Sequence, residues 1–522
     1  MADKSEFERR LNGYPRFLYE KYIDFSRNLR YNKVEYPRFG AGYVRRFTMI
    51  QFGTGGWRAV IGSDFIERNI CLVTEGICAL MKEEGKTDKP LIVGYDHRFL
   101  SDVAAKWMAE VFAANGVTVW FMNRSAPTPL VMHTVKRQDL YYGVEITASH
   151  NPSGYNGIKL IVEEGRDAPL ETTARLEKLI AEIETRQIPS PRIPFDEACA
   201  KGLVIYRKNP FNDFIDDILD VLDVETIRNH GARVLFDPMY GSGTYPLLVI
   251  LCTARCTVDM IHNTRDAHFG GHHPAPSVSG LEELRTRVVA GKYELGIAFD
   301  GDGDRLGIID GNGRYLSANE ILVMLYWYLH EIKGWHGPVV RNLATTHMLD
   351  VMAADFGETC FEVPVGFKYI SSKIDEADAV LGGESSGGLT VRGHIHGKDS
   401  IYAASLFVEM ISAVEKSPSE IMDELEQKYG RFEMVEDNIT FTFEQKSTVN
   451  RIIFEEKKIP FFGKPVTRVN YEDGCKVYFA DGSFVICRFS GTEPLLRIFA
   501  EASDVDTAKG YIEAFRDLLA LE

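Results

Sequence analysis

Apolar residues along this chain fall into short unbroken runs that stop at Gly, Asp or Pro, and into longer stretches where they recur every three or four positions. The run Leu91-Ile92-Val93-Gly94-Tyr95, ended by Asp96, fits a strand buried on both faces that feeds a loop. It follows helical spacing over 70–84, and 117–122 and 142–146 repeat the strand-then-loop order before amphipathic spacing over 170–186. After the Pro-marked stretch 188–194 the pattern returns: strands at 232–236, 257–261, 295–299 and 306–310, the last two flanking an acidic loop. A third round has helices over 318–331, 346–355 and 403–415, with strands at 338–341 and 379–381. Strands alternating with helices three times over predict three α/β domains of about 100–200 residues on mixed or parallel sheets. The last stretch differs. Strands at 476–480 and 483–488 flank Asp481-Gly482, a type I′ hairpin signal, and a strand at 496–500 and a helix over 506–519 complete a small α+β domain. The expected divisions are 1–48, 49–205, 206–316, 317–430 and 431–522.

At 522 residues the chain exceeds one ordinary hydrophobic core, in keeping with several domains. A net charge of −16 argues against a surface dedicated to nucleic acid or anionic membrane, although a local cluster of Arg and Lys still suits an anionic ligand. Residues 1–48 reverse the sign, with 11 Lys or Arg against 6 Asp or Glu, and read as a helical arm packing on the body or, second, as a partner or oligomer contact. The eight cysteines show no paired pattern, and Cys252 and Cys256 lack a second close pair, so reduced thiols are expected. With no apolar run of spanning length and a charged N-terminus, a cytoplasmic protein is expected. Oligomeric state is not legible.

Two segments carry the strongest chemistry. Thr147-Ala148-Ser149-His150-Asn151-Pro152 offers a serine hydroxyl on a sharp turn; Pro152, Gly154 and Gly157 are expected to keep it in loop, with His150, Asn151 and Lys159 nearby. Gly-x-Ser-x-Gly is absent, which argues against a hydrolase triad. Asp300-Gly301-Asp302-Gly303-Asp304-Arg305 offers three carboxylates at alternate positions, hard oxygen ligands for Mg²⁺ or Mn²⁺, with Ca²⁺ third, rather than zinc. An EF-hand fails here, because its sixth position is Arg305 and its twelfth Gly311. A nucleophile that carries phosphate needs a cation to offset its charge, so the pair points to phosphoryl transfer.

Other loops add binding groups. Gly382-Gly383-Glu384-Ser385-Ser386-Gly387-Gly388 presents Glu384 and Ser386 for vicinal sugar hydroxyls, and Gly366-Phe367-Lys368 is read as a loop holding a cation. His394, His396 and Lys398 supply proton donors and acceptors. Arg488-Phe489-Ser490-Gly491-Thr492-Glu493-Pro494, with Arg497 beyond, reads as an anion nest. Phe52–Arg58 is a Gly-rich turn ending in a cation, without the Gly-Lys-Ser/Thr of a P-loop, and His268, His272 and His273 read as a connecting loop rather than a zinc site.

Taken in order, the loops at 147–152, 300–305, 383–386 and 488–494 resemble those of the α-D-phosphohexomutase superfamily, which includes phosphoglucomutase and phosphomannomutase. The resemblance runs from about Phe52 to the C-terminus. It implies four domains around a central cleft, three similar mixed α/β domains and a C-terminal α+β domain. It implies that Ser149 carries a phosphoryl group and joins Asp300, Asp302 and Asp304 around one Mg²⁺, and that a hexose 1,6-bisphosphate, glucose 1,6-bisphosphate above all, is intermediate and activator. Arg58, His150 and Arg305 would support transfer, with Lys159 as acid or base. Gly366, Phe367, Lys368, Glu384 and Ser386 would bind the sugar phosphate, and Arg488, Ser490, Gly491, Thr492 and Arg497 its distal phosphate. Many mannose-type and glucosamine-type members follow the sugar loop's Ser-Gly with His, where this chain has Gly388; Lys398 or His394 is then the expected second proton-transfer group. Glucose phosphate is the favoured substrate, mannose phosphate next; glucosamine or pentose phosphate, or a non-catalytic sugar-phosphate-binding protein, are the rivals.

Overall fold

Leu91–Tyr95 is buried at every position and lies in parallel between Tyr142–Ile146 and Val119–Phe121. The computed structural model describes residues 50–53, 55–489 and 495–520. The N-terminal stretch 1–48, Thr54 and Ser490, Gly491 and Thr492 of the anion nest lie outside the described residues. Beside Tyr142–Ile146 the first sheet continues in antiparallel Tyr155–Val162, Gly56–Val60 and Phe52–Gly53; its other edge is Val204–Tyr206, and Arg166–Asp167 pairs with Tyr155–Val162.

The second sheet runs Thr257–Met260, Arg233–Asp237, Leu295–Phe299, Leu306–Asp310, Tyr315–Leu316, the first three parallel and the rest antiparallel. The third runs Cys360–Val363, Val339–Asn342, Leu381–Gly383, Leu389–Val391, again parallel until an antiparallel last strand. These three mixed sheets share one device: a candidate functional loop at the tip of an antiparallel hairpin appended to parallel strands. Ile146 pairs Ile158 around the Ser149 loop, Phe299 pairs Leu306 around the acidic loop, and Gly383 pairs Leu389 around the Glu384 loop. The fourth sheet, Glu433–Thr440, Leu495–Ala502, Phe484–Phe489, Cys475–Phe479, Val466–Asn470, is antiparallel throughout and packs against the helix Val505–Leu519.

Three local expectations are corrected. Residues 155–162, read as loop through Gly157, form a strand: a methyl group on Gly157 would sit 2.3 Å from the Trp57 carbonyl oxygen and 2.8 Å from that of Thr147. That glycine serves close strand approach, not chain reversal. Lys368 lies in the first turn of the helix Phe367–Ala377, capped by Gly366 at φ 131°, and the Phe367 ring goes into the core with Val340, Ile370 and Ile374. At Asp481-Gly482 only Gly482 has positive φ, at 85°. Gly482 N–H donates to Phe479 O and Phe479 N–H to Ser483 O, a three-residue loop closed by a left-handed glycine rather than type I′.

The C-terminal sheet rests on the third domain. Phe484, Ile486 and Phe499 pack on Leu343 and Ala344. Beside this apolar patch lies a polar network. Glu362 accepts from Arg341 Nη1 at 2.7 Å and Lys476 Nζ at 2.7 Å. His347 Nε2 lies 2.9 Å from Lys476 Nζ, His347 Nδ1 2.9 Å from Gly482 O, and His347 N–H donates to Glu501 Oε1 at 2.8 Å. Burial first, then Lys476 and Arg341, bring the His347 imidazole down to about 4, against the pull of Glu362. Among the described residues no helix is long and apolar enough to cross a membrane, and all eight cysteines are free.

Candidate active site

Ser149 is fully buried and holds a left-handed backbone at φ 51°. For a non-glycine residue that conformation persists only when its surroundings over-determine it. They do. Ser149 N–H donates to Thr147 Oγ1 at 2.9 Å, and Thr147 Oγ1 donates to Asp96 Oδ2 at 2.7 Å. Asp96 Oδ1 takes Arg98 N–H at 2.9 Å and Ser101 Oγ at 2.7 Å. The buried Arg98 guanidinium then gathers the loop's carbonyls, donating to Ser149 O at 2.5 Å, Asn151 O at 2.6 Å, Pro152 O at 2.9 Å and Tyr155 O at 3.1 Å. Loop and strand end are thereby locked together.

The serine hydroxyl points at the acidic loop: its Oγ donates to Asp300 Oδ2 at 2.7 Å and lies 3.3 Å from His150 Nδ1. Asp300 Oδ1 accepts the backbone N–H groups of Asp304 at 3.0 Å and Arg305 at 3.1 Å. Asp302 Oδ2 accepts from Thr128 Oγ1 at 2.5 Å and Lys159 Nζ at 2.7 Å. Asp304 Oδ2 accepts from Lys159 Nζ at 2.6 Å and lies 3.0 Å from Lys398 Nζ. The three aspartates are fully buried, and one oxygen from each falls within 4.8 Å of the others. Burial, and then the charges of Asp302 and Asp304, push the Asp300 carboxyl up to about 8. For Asp304, burial is outweighed by Lys159, Lys398 and Arg305, which hold it well below the carboxylate range. Lys159 shows the reverse balance: burial opposes its charge, but Asp302 and Asp304 raise it.

Asp302 Oδ1 and Asp304 Oδ1 are buried without a hydrogen-bond partner among the described residues. Orphaned carboxylate oxygens in a dry site are costly unless a ligand takes them. An oxygen-only donor set with two such atoms fits a hard divalent cation, held by Asp300, Asp302 and Asp304 beside Ser149 Oγ.

Arg58 Nη1 donates to Asn151 Oδ1; burial, then Arg305, lower its guanidinium. Burial, then Arg305 and Arg58, push the His150 imidazole far down, so His150 is neutral at physiological pH. Of the two groups expected to replace a histidine at position 388, only Lys398 reaches the aspartates. His394 is turned to Asp399 Oδ2 at 2.5 Å, its ring among Tyr402, Phe214 and His133. The Lys398 stem crosses Gly388 so closely that a methyl group there would lie 2.2 Å from Lys398 Cδ. His396 lies 3.0 Å from Asp375 Oδ1, outside this cluster.

The loops of the first three domains bond to one another. Thr128 N–H donates to Asp302 O at 2.9 Å, Ser400 Oγ to Gly303 O at 2.6 Å, and Leu306 N–H to Gly387 O at 3.1 Å. In the loop expected to bind sugar, Glu384 Oε1 accepts from Asn342 Nδ2 and Gly366 N–H, both at 3.1 Å, and Ser386 Oγ donates to Glu384 Oε2 at 3.4 Å. Lys368 is half-buried, 5.4 Å from the Tyr369 ring centroid, and burial lowers its ammonium. On the fourth domain Arg488 and Arg497 are direct cross-strand partners. Arg488 Nη2 lies 3.3 Å from Asp473 Oδ2, and Arg497 Nη1 lies 3.7 Å from Glu436 Oε1. Sequence reasoning missed Asp96, Arg98, Thr128, Asp167 and Asp473. The one local signal was the strand end at Asp96, with a charged residue two positions on. Asp167 is buried, its carboxyl raised by burial against the pull of Lys159 and Lys398.

Family models of phosphoglucomutase/phosphomannomutase match four successive stretches: α/β/α domain I over residues 49–187, domain II over 212–313, domain III over 317–429 and the C-terminal domain over 449–518. The chain belongs to the phosphoglucomutase/phosphomannomutase family, and with it to the phosphotransferring isomerases. A phosphoglucomutase/phosphomannomutase of Thermococcus kodakarensis is 28% identical over 463 residues, covering 88% of this chain and 96% of its own. A probable phosphoglucosamine mutase of Methanosphaera stadtmanae is 28% identical over 451 residues, covering 86% and 94%. The crystal structure of a putative phosphomannomutase from Thermus thermophilus superposes with a TM-score of 0.77 at 25% identity, covering 90% of this chain and 99% of that one.

Proposed function

We propose that this chain interconverts hexose 1-phosphate and hexose 6-phosphate, with glucose phosphate as the preferred pair, through a phosphoserine at Ser149 and a bound hexose 1,6-bisphosphate. The observation that carries this reading is the 2.7 Å contact between Ser149 Oγ and Asp300 Oδ2, inside a buried three-aspartate cage with two unpartnered oxygens.

The roles follow from the surroundings of each group. Ser149 accepts and returns the phosphoryl group; Arg98 keeps its loop in one conformation, so little reorganisation accompanies transfer. A divalent cation, Mg²⁺ in this reading, held by Asp300, Asp302 and Asp304, supplies charge neutralisation for the phosphoryl oxygens. Lys159 is held protonated by Asp302 and Asp304, which suits it to charge stabilisation; acid or base action there requires that hold to be relaxed. Lys398, 3.0 Å from Asp304 Oδ2, stands on the side where the sugar loop arrives and takes the second proton-transfer role. Arg58 and Arg305 add positive charge, and neutral His150 hydrogen-bonds the serine oxygen. Glu384 and Ser386 accept the sugar hydroxyls, with Lys368 at the sugar phosphate; Arg488, Ser490, Gly491, Thr492 and Arg497 grip the distal phosphate. Binding energy remote from the reacting atoms is the usual way such sites fix orientation.

The test is a panel of glucose, mannose, glucosamine and ribose 1-phosphates with Mg²⁺, run on wild type and Ser149→Ala. Wild type is expected to be fastest on glucose 1-phosphate and to show a phosphorylated fraction by intact mass. Ser149→Ala should lose that fraction and at least ~10³-fold in turnover. A wild type without sugar-phosphate turnover, or a variant that keeps it, defeats the reading.

A further inference from the structure

Two successive backbone amides join the fourth domain to the sugar loop. Val365 N–H donates to Asp473 Oδ2 at 3.0 Å, and the next amide, Gly366 N–H, donates to Glu384 Oε1 at 3.1 Å. Asp473 comes from the turn before Cys475–Phe479, and it also meets Arg488, whose Nη2 lies 3.3 Å from Oδ2 and 3.4 Å from Oδ1. A continuous path therefore runs Arg488, Asp473, Val365, Gly366, Glu384. We infer that Asp473 is a positioning residue: it aims the Arg488 guanidinium and fixes its distance from Glu384, so that the group gripping the distal phosphate and the group holding the sugar are set to one substrate length. This rests on the reading of Arg488 as a phosphate-gripping residue.

The local chemistry requires such a partner. Arg488 and Arg497 face each other directly on adjacent strands, an arrangement that repels unless anions offset it. Asp473 does so loosely. Contacts of 3.3–3.4 Å to a single nitrogen are longer than a strong charge-assisted bond, and among the described residues Arg488 Nε is buried without a partner, so part of the guanidinium fork stays uncommitted. Gly474 explains the placement. Its φ is 99°, and a methyl group there would lie 2.7 Å from both Arg488 Cβ and the Cys487 carbonyl oxygen, so only glycine lets the turn bring Asp473 alongside Arg488. Other contacts support the docking: buried Lys476 and His347, with half-buried Glu362, form a polar network between the same two domains, so Asp473 need not hold them together.

The experiment uses full-length enzyme with Mg²⁺ and glucose 1-phosphate, comparing wild type, Asp473→Asn, Arg488→Ala and the double variant. Asp473→Asn keeps an acceptor for Val365 N–H and loses the charge that orients Arg488. It is expected to raise KM about fivefold to tenfold with kcat within about twofold, and to add nothing further in the Arg488→Ala background. Melting of each variant is measured alongside. An unchanged KM, an effect that simply multiplies with that of Arg488→Ala, or a fall in kcat matched by lost thermal stability overturns the inference. An active wild type with a normal Asp473→Asn removes this inference alone; a wild type inactive on every sugar phosphate removes the functional reading with it.

Discussion

Around Ser149 the ionised groups are sealed in: Asp300, Asp302, Asp304 and Arg98 are fully buried, and Lys159 nearly so. Around Arg488 the charged side chains stay partly open, 13% exposed for Arg488 and 28% for Asp473, and their contact is a long one. The difference follows from the work each end is proposed to do. Phosphoryl chemistry benefits from fixed charges in a dry, low-dielectric setting, where each is worth more and none must reorganise. A grip that takes and releases a phosphate with each substrate needs charges that are oriented yet still reachable. The buried end carries a stability risk that the open end avoids, because a buried charge stripped of its partner cannot turn to water.

Lys159→Met is the most severe way to sharpen this contrast. It leaves Asp302 and Asp304 short of their shared cation, and stability is expected to fall by about 3–5 kcal/mol in metal-free denaturant titrations. Saturating Mg²⁺ should recover a good part of the loss; no recovery would break the assignment of the aspartates as cation ligands.

A smaller effect is expected from acid at the interface of the third and fourth domains. His347 titrates near 4 when folded against an ordinary 6.5, so the unfolded chain binds the additional proton between those values. Stability therefore falls as pH drops from about 6.5 to about 4, by up to about 2–3 kcal/mol from this group. In His347→Asn that component should vanish from the pH dependence of thermal melting. An identical slope in both proteins would contradict it.

Arg488→Ala should be milder still in stability, within about 1 kcal/mol of wild type, because its side chain is not fully enclosed. Its cost is expected in KM, about tenfold or more, with kcat less affected. A variant that loses kcat and keeps KM would erase the distinction between the two ends.

Much of this was legible in the sequence where neighbours in the chain are neighbours in space. The Ser149 turn, the Asp300–Arg305 loop and the Gly383–Ser386 segment each announce themselves within a few residues, and each sits at a hairpin tip. Lys398 was legible only as one of two candidates, since separating it from His394 requires knowing which way each side of the loop faces. Arg98 was not legible: it acts by reaching carbonyls 51 to 57 positions downstream. Thr128 reaches across 174 residues to Asp302, a distance no local pattern encodes. Gly157 misled because glycine serves turns and close strand packing alike, and only the neighbouring backbone tells the two apart.

Gly388 and Lys398 are coupled through the space they share. With the lysine methylenes lying across position 388, a side chain there would meet the Lys398 stem, which would have to move aside to make room. Positions 388 and 398 are therefore not independent: a larger residue at the first is accommodated only if the second side chain is displaced, so the two are best substituted as a pair.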